Sequence, residues 1–188
     1  RYLGDDGFFR GLKQYTKTYA ANNVETTDLK KTFEVTTGKN LDWFFEQWVY
    51  KPGVPEITAT YRYNRRSQLV SLTLKQTQDV ESTSLFKLPM VVVIDDGNVN
   101  RYDIFFDKEE DTFTFPAEME PLMVGVDEGF QIPKRLTFEK KTNELLYQLK
   151  NAPVPNDRIW AARELKDTRS TKKIHSALVE MLSAEPKW

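Results

Sequence analysis

Gly38-Lys39-Asn40-Leu41-Asp42-Trp43-Phe44-Phe45-Glu46-Gln47-Trp48, followed after Val49-Tyr50-Lys51 by Pro52-Gly53-Val54-Pro55, is the stretch on which the reading of this chain turns. Asn40 is a good helix N-cap. Leu41, Phe44, Phe45 and Trp48 then fall at i, i+3, i+4 and i+7, one apolar stripe of an amphipathic helix. The prolines and glycine that follow forbid further helix, and Pro55 predicts an exposed first strand. From Ile57 the period changes: Ile57, Ala59, Tyr61 and Tyr63 alternate with Thr58, Thr60 and Arg62, as in a half-buried strand. Helix gives way to sheet within this one stretch.

Upstream, Phe8, Leu12, Tyr15 and Tyr19 recur at helical spacing, with Arg10, Lys13 and Lys17 on the other side, until Asn22-Asn23 breaks the run. A second helix fits from Thr27 as N-cap, through Leu29 and Phe33, to Gly38 as a C-terminal stop. Downstream, Val70, Leu72 and Leu74 alternate with polar residues. Met90 to Ile94 is a continuous apolar run, as in a strand covered on both faces. Tyr102, Ile104 and Phe106, then Phe113 and Phe115, then Leu122, Val124 and Val126 extend the pattern, with turn signals at 64–67, 95–98 and 108–111. Six or seven short strands with hairpin-like turns predict a small antiparallel β-sandwich over 53–133. Residues 134–188 return to helix. Phe138, Leu145, Leu146 and Leu149 mark one helix, Ile159, Ala162 and Leu165 a second, and Ile174, Ala177, Leu178, Met181 and Leu182 a third. Helices this short, joined by short loops, predict the opening of an α-solenoid of HEAT-like kind, with about one and a half repeats present. The fold class expected is therefore an α+β multidomain fragment: helices, then the sandwich, then the start of a solenoid.

The chain has 188 residues, 39% hydrophobic and 13% aromatic, enough for a sizeable core. Its 27 basic and 28 acidic residues nearly cancel. The imbalance is regional: 8 basic and 7 acidic residues in 1–52, 7 and 14 in 53–133, and 12 and 7 in 134–188. The basic residues of the last region are interspersed with acids and lack aromatic stacking partners, so no nucleic-acid surface is expected. Nor does any run approach the ~20 apolar residues of a membrane-spanning helix. There is no cysteine, which excludes disulfides and thiolate metal sites but does not decide compartment. Arg1 stands where a start methionine would, and the expectation is of a piece of something longer.

The opening stretch also resembles the end of the catalytic domain in aminopeptidase N-type zinc metallopeptidases, where Gly-Lys-x-Leu-x-x-Phe-Phe-x-x-Trp leads through Gly-x-Pro into a β-sandwich. Leu3-Gly4-Asp5-Asp6 with Phe8 or Phe9, Gly11-Leu12 and Tyr15, and Glu25-Thr26-Thr27-Asp28-Leu29 are similar to the preceding segment of that family. Leu72-Thr73-Leu74-Lys75-Gln76-Thr77-Gln78 resembles the glutamine-containing second strand of its sandwich, and Arg158-Ile159-Trp160-Ala161-Ala162 an early helix of its C-terminal solenoid. The resemblance runs along nearly the whole chain in order. It implies that 1–52 are the last helices of a thermolysin-like catalytic domain, 53–133 the sandwich and 134–188 the start of the helical domain.

The resemblance implies a zinc in the intact parent, held by a His-Glu-x-x-His helix and a later glutamate, with peptide substrates gripped by a Gly-x-Met-x-Asn strand. His175 is the only histidine, so that helix cannot be formed, and no Gly-x-Met-x-Asn occurs. The family's tyrosine lies upstream of the Leu3-Gly4 match, which rules out Tyr2. No catalytic, cofactor-binding or metal residue is assigned, and no cofactor is expected in this chain. Its partner is expected to be the remainder of its own polypeptide.

Other candidates have plainer readings. His175, beside Lys172 and Lys173, reads as a solvent-exposed helical residue. Asp95, Asp96, Asn98 and Asn100 miss the calcium-loop spacing and read as an exposed hairpin turn, as do Glu109, Glu110 and Asp111. Glu118 and Glu120 lie on one loop with no separation fixed across a cleft. Tyr61, Tyr63, Tyr102 and Phe106 suit cross-strand packing better than a sugar platform. The function expected is that of a non-catalytic portion of a protein resembling a zinc-dependent aminopeptidase. The alternatives are an interaction scaffold of the same architecture without peptidase activity, and a free-standing β-sandwich binding module.

Overall fold

A computed structural model describes residues 2–79, 83–166, 168 and 172–184. Among them, α1 (Gly4–Thr18) and α2 (Thr26–Thr37) pack as a hairpin, and α3 (Asp42–Phe45) runs on into a π turn, Glu46–Tyr50. Gly38 ends α2 in the left-handed region with φ 68°, the conformation the sequence assigns to it. The start differs: α2 is capped at Glu25, whose N–H donates to Asp28 Oδ2 at 3.0 Å, two residues before the expected Thr27.

Seven strands follow among the described residues: β1 (Glu56–Asn64), β2 (Leu69–Gln76), β3 (Leu88–Asp95), β4 (Val99–Phe106), β5 (Glu110–Pro116), β6 (Met123–Val126) and β7 (Arg135–Phe138). They form a four-stranded sheet in the order β5-β2-β1-β7 and a three-stranded sheet in the order β4-β3-β6. Inward residues of both sheets, among them Ile57, Leu72, Leu74, Met90, Val92, Ile94, Phe106, Val124 and Phe138, make one buried core. Tyr63 and Tyr102 pack against it from the half-exposed flank, and the Tyr102 ring lies 4.8 Å from that of Phe115. The aromatic strand residues are thus packing groups, as expected.

Two features depart from what the sequence suggested for the antiparallel sandwich. β7 pairs with β1 in parallel, Glu56 opposite Arg135 and Ala59 opposite Phe138. A parallel neighbour needs a long crossover, and the five strands between β1 and β7 supply it. Consequently β1 is an inner strand, not the exposed one that Pro55 suggested. The proline precedes the ladder, so its missing N–H costs nothing, and its carbonyl accepts the Arg135 N–H at 2.9 Å. Phe138, expected on a helix, is the last residue of β7 and is buried in the sandwich core.

Three helices follow among the described residues: α4 (Thr142–Asn151), α5 (Pro155–Lys166) and α6 (Lys172–Ala184). Leu145, Leu146, Leu149, Ala161, Leu165, Ile174 and Ala177 form a second core between them. The other side of α4 covers the outer face of the three-stranded sheet, where Val91, Val93, Met123 and Ala152 cluster with Tyr147. β3 is therefore buried on both faces, as its unbroken apolar run predicts. No described helix is long and apolar enough to cross a membrane.

Candidate functional site: an open aromatic face and a buried polar junction

α1 approaches α2 through glycine. A Cβ on Gly11 would lie 2.7 Å from the Phe33 ring, so the helices touch only because none is there. Phe33 is buried with Leu41 and Phe45, while Phe8 and Phe9 of α1 remain 45% and 63% exposed. With Tyr2, Leu29 and Phe44 these residues rim an open cavity of about 550 Å³. A second hollow of about 400 Å³ lies beside it, between Tyr2, Trp43, Trp48, Pro89 and Ile132. Glu34 Oε1 fixes α3 by accepting the Leu41 N–H at 2.8 Å, and Lys30 pairs with Asp42.

The aromatic stripe of the opening stretch divides here. Leu41 and Phe45 face the helical cluster, whereas Trp48 packs on the sandwich core, 5.4 Å from the Phe86 ring. The π turn causes the split: its i→i+5 bonds, closed by Lys51 N–H to Glu46 at 3.0 Å, lag the α period and re-aim the residues that follow. Gln47 then holds the turn to the sandwich, accepting the Lys87 N–H at 2.7 Å and donating to the Lys87 carbonyl at 3.1 Å. Gly53 has φ 101° and stands where a Cβ would fall 2.5 Å from Thr83 Cγ2. That close approach is the physical requirement behind Gly53-Val54-Pro55.

The second constellation was not anticipated. Lys140 and Glu144, only 1% and 7% exposed, are paired at 3.3 Å under the helices. Glu144 accepts the Val124 N–H at 3.1 Å and the Tyr61 hydroxyl at 2.9 Å. The Lys140 ammonium donates to the Val124 carbonyl and, at 2.7 Å, to Gln148 Oε1, and it sits over the Phe138 and Trp160 rings. Burial pulls Lys140 below the ordinary ammonium value, with Glu144 opposing, and burial next to Glu144 raises the Tyr61 phenol. Nearby, Asp127 and Lys134 form a fully buried pair, and Asp127 Oδ2 also accepts the Ile132 N–H at 3.0 Å. Asp157 receives the Gly129 N–H on both carboxylate oxygens at 3.1 and 3.2 Å. Sequence reasoning missed this network because an i, i+4 Lys–Glu pair at a helix start reads as surface decoration.

The residues weighed from sequence fall in separate places. His175 is exposed on α6. Asp95 and Asp96 do form the β3–β4 hairpin with Gly97, but both are buried, which corrects the expected exposed turn. Asp95 accepts the Tyr147 hydroxyl at 3.0 Å and Asp96 the Glu118 N–H at 2.6 Å, so these carboxylates are structural acceptors. Lys108–Asp111 and Lys75–Glu110 are surface pairs, and Glu120 pairs with Arg65. Among the described residues no three His, Cys, Asp or Glu side chains gather closely enough to hold a metal ion. The lone imidazole stands exposed on the last helix, and a zinc of the expected ligand set does not fit the residues present.

A family profile described as the Peptidase family M1 domain matches residues 1–48, the helices around the open aromatic face. The leucyl aminopeptidase of Saccharolobus solfataricus is 27% identical over 126 residues, 67% of this chain and 15% of its own length. Residues 1–48 thus match the M1 peptidase family, and the longer similarities are to aminopeptidases. The fold agrees. Aminopeptidase A of Legionella pneumophila, solved in complex with aspartic acid, superposes with a TM-score of 0.81 at 19% identity, over 97% of this chain and 23% of that one. Transcription initiation factor TFIID subunit 2 of Saccharomyces cerevisiae is 33% identical over 60 residues, 32% of this chain and 4% of that protein. The chain thus spans well under a quarter of the curated relatives it matches.

Proposed function

We propose that this chain is the non-catalytic part of a zinc-dependent aminopeptidase-like protein whose intact form releases amino-terminal residues from peptides. In that reading residues 1–52 are the closing helices of a thermolysin-like catalytic domain, 53–133 a β-sandwich spacer, and 134–188 the first helices of a HEAT-like solenoid. The remainder of the same polypeptide covers the aromatic face of α1 and α3. The zinc, when bound in the parent, supplies the activated water, and polypeptide outside this chain holds it. The residues of this chain contribute packing and spacing. The observation that carries the reading is the exposed Phe8–Phe9 rim around an apolar cavity, within the segment matched to the M1 domain. The test is direct: the purified 188-residue protein, incubated with zinc and aminoacyl-p-nitroanilides, is expected neither to bind the metal stoichiometrically nor to release nitroaniline. Zinc at one equivalent together with turnover overturns the proposal.

A second reading has its own support. The similarity to a transcription factor subunit favours an interaction scaffold of this architecture without peptidase chemistry. The sequence preceding Arg1 in the parent discriminates: a His-Glu-x-x-His followed by a downstream glutamate settles for the peptidase, and its lack for the scaffold.

A further inference from the structure

Among the described residues β6 is an edge strand, with β3 on one side and no strand on the other. An edge leaves alternate N–H and C=O groups without ladder partners, and water usually serves them. Val124 is fully buried, so water does not reach its outward N–H and C=O. Side chains take the place of a strand: Glu144 accepts the N–H, and Lys140 donates to the carbonyl. The pair satisfies one residue's backbone on both counts, and its remaining valences go to Tyr61 of β1 and to Gln148 of α4. Gln148 in turn donates to the Asp157 carbonyl at 3.0 Å, so β1, β6, α4 and α5 meet on one ion pair.

This junction differs from the bodies it joins. The sandwich and the helices each have their own apolar core, and among the described residues Trp160 is the one side chain packed against both. Between them lie a small cluster around Val91, Val93, Met123 and Ala152, together with the polar network. Opening the junction therefore parts the cores at Trp160 and uncovers the small cluster, while each core keeps its other members. A desolvated ion pair also has two stable arrangements, buried with every bond made or separated and hydrated, with little favourable in between.

We propose that Lys140 and Glu144 form a latch that closes the β6 edge and holds the α4–α5 hairpin on the sandwich, so that its release swings the helices off as a unit while the sheets stay folded. Native-state hydrogen exchange on the 188-residue protein tests it. In wild type, rising sub-denaturing urea is expected to reveal one opening shared by the amides of Val124 and Gly129, whose N–H groups Glu144 and Asp157 accept across the junction. It should lie below the opening that exposes Leu72 and Val92. A single opening common to all four overturns the latch. Glu144→Gln keeps an acceptor but ends the ion pair, and it is expected to speed exchange of the first set at least about tenfold while the second changes less than about twofold. Equal acceleration of both sets, or an unchanged Val124, also overturns it. Should the variant not fold, the wild-type isotherms decide alone.

Discussion

At the scale of single residues, the glycines of α1 make opposite demands. A Cβ at Gly11 meets the Phe33 ring at 2.7 Å, whereas at Gly7 the nearest atom is Thr37 Cγ2 at 3.4 Å. Gly11→Ala is therefore expected to destabilise the protein by about 1–3 kcal/mol as an overpacking change. Gly7→Ala is expected to be neutral or to gain up to about 1 kcal/mol from helix propensity. Urea midpoints of the two variants measure this, and equal effects would contradict the close helix approach. Asp157 gives a pH dependence with a definite sign. Burial holds its carboxyl above the ordinary range, with the Gly129 N–H working against that shift. The folded chain thus keeps the proton more tightly than the unfolded one. Its contribution is whole below about pH 4 and is lost as pH rises through the raised value. The stability of wild type relative to Asp157→Asn should fall between acid and neutral pH, and thermal midpoints that keep a constant gap across that range would exclude it.

At the scale of elements, much of the secondary structure was legible because hydrophobic period is a local property. The helical spacing of Leu41 and Phe45, the alternation through Ile57 and Ala59, and the unbroken Met90–Ile94 run each report burial directly. What sequence hid was non-local. The β1–β7 pairing joins residues far apart, so Pro55 looked like an edge signal and Phe138 like the start of a helix. The π turn at Glu46–Tyr50 leaves the composition of the stripe unchanged and alters only its aim. Gln76 sits between these cases: its place in a strand was readable, its task was not. Buried on β2, it accepts the Phe86 N–H at 2.9 Å and donates to the Phe86 carbonyl at 2.8 Å, standing in for a ladder partner to the residue that leads into β3. Gln76→Leu fits the volume but strands both backbone groups, at about 1–3 kcal/mol for each. Gln76→Glu keeps an acceptor for the N–H while facing the carbonyl with charge, and should be worse still at neutral pH. Chemical denaturation of the two variants checks the order, and a leucine variant as stable as wild type would refute the assigned role.

At the scale of the whole molecule, the candidate sites divide by how sequence encodes them. The open face was legible as apolar positions at helical spacing, Phe8, Leu12 and Phe44, which the fold leaves exposed. The polar junction was not, because burial of Lys140 and Glu144 depends on where the sandwich lies, which no local pattern records. The open face carries the last expectation. Apolar surface concentrated around one cavity favours association with other apolar surfaces. The 188-residue protein should therefore bind an environment-sensitive dye and scatter more light than a monomer as its concentration rises. Phe9 is the most exposed ring on the rim and packs edge-on against Phe8, not into the Phe33 cluster. Replacing both with serine in Phe8→Ser/Phe9→Ser removes that surface while leaving Leu41 and Phe45 in place. Dye binding and scattering should fall together by several-fold; the Phe9 change should cost no more than about 0.5 kcal/mol, as surface changes do, and the Phe8 change more, because its ring also lies 5.7 Å from that of Phe33. A wild-type protein that stays monodisperse and dye-silent, or a double variant that associates as before, would mean that the aromatic rim is an ordinary solvated surface and that nothing need cover it.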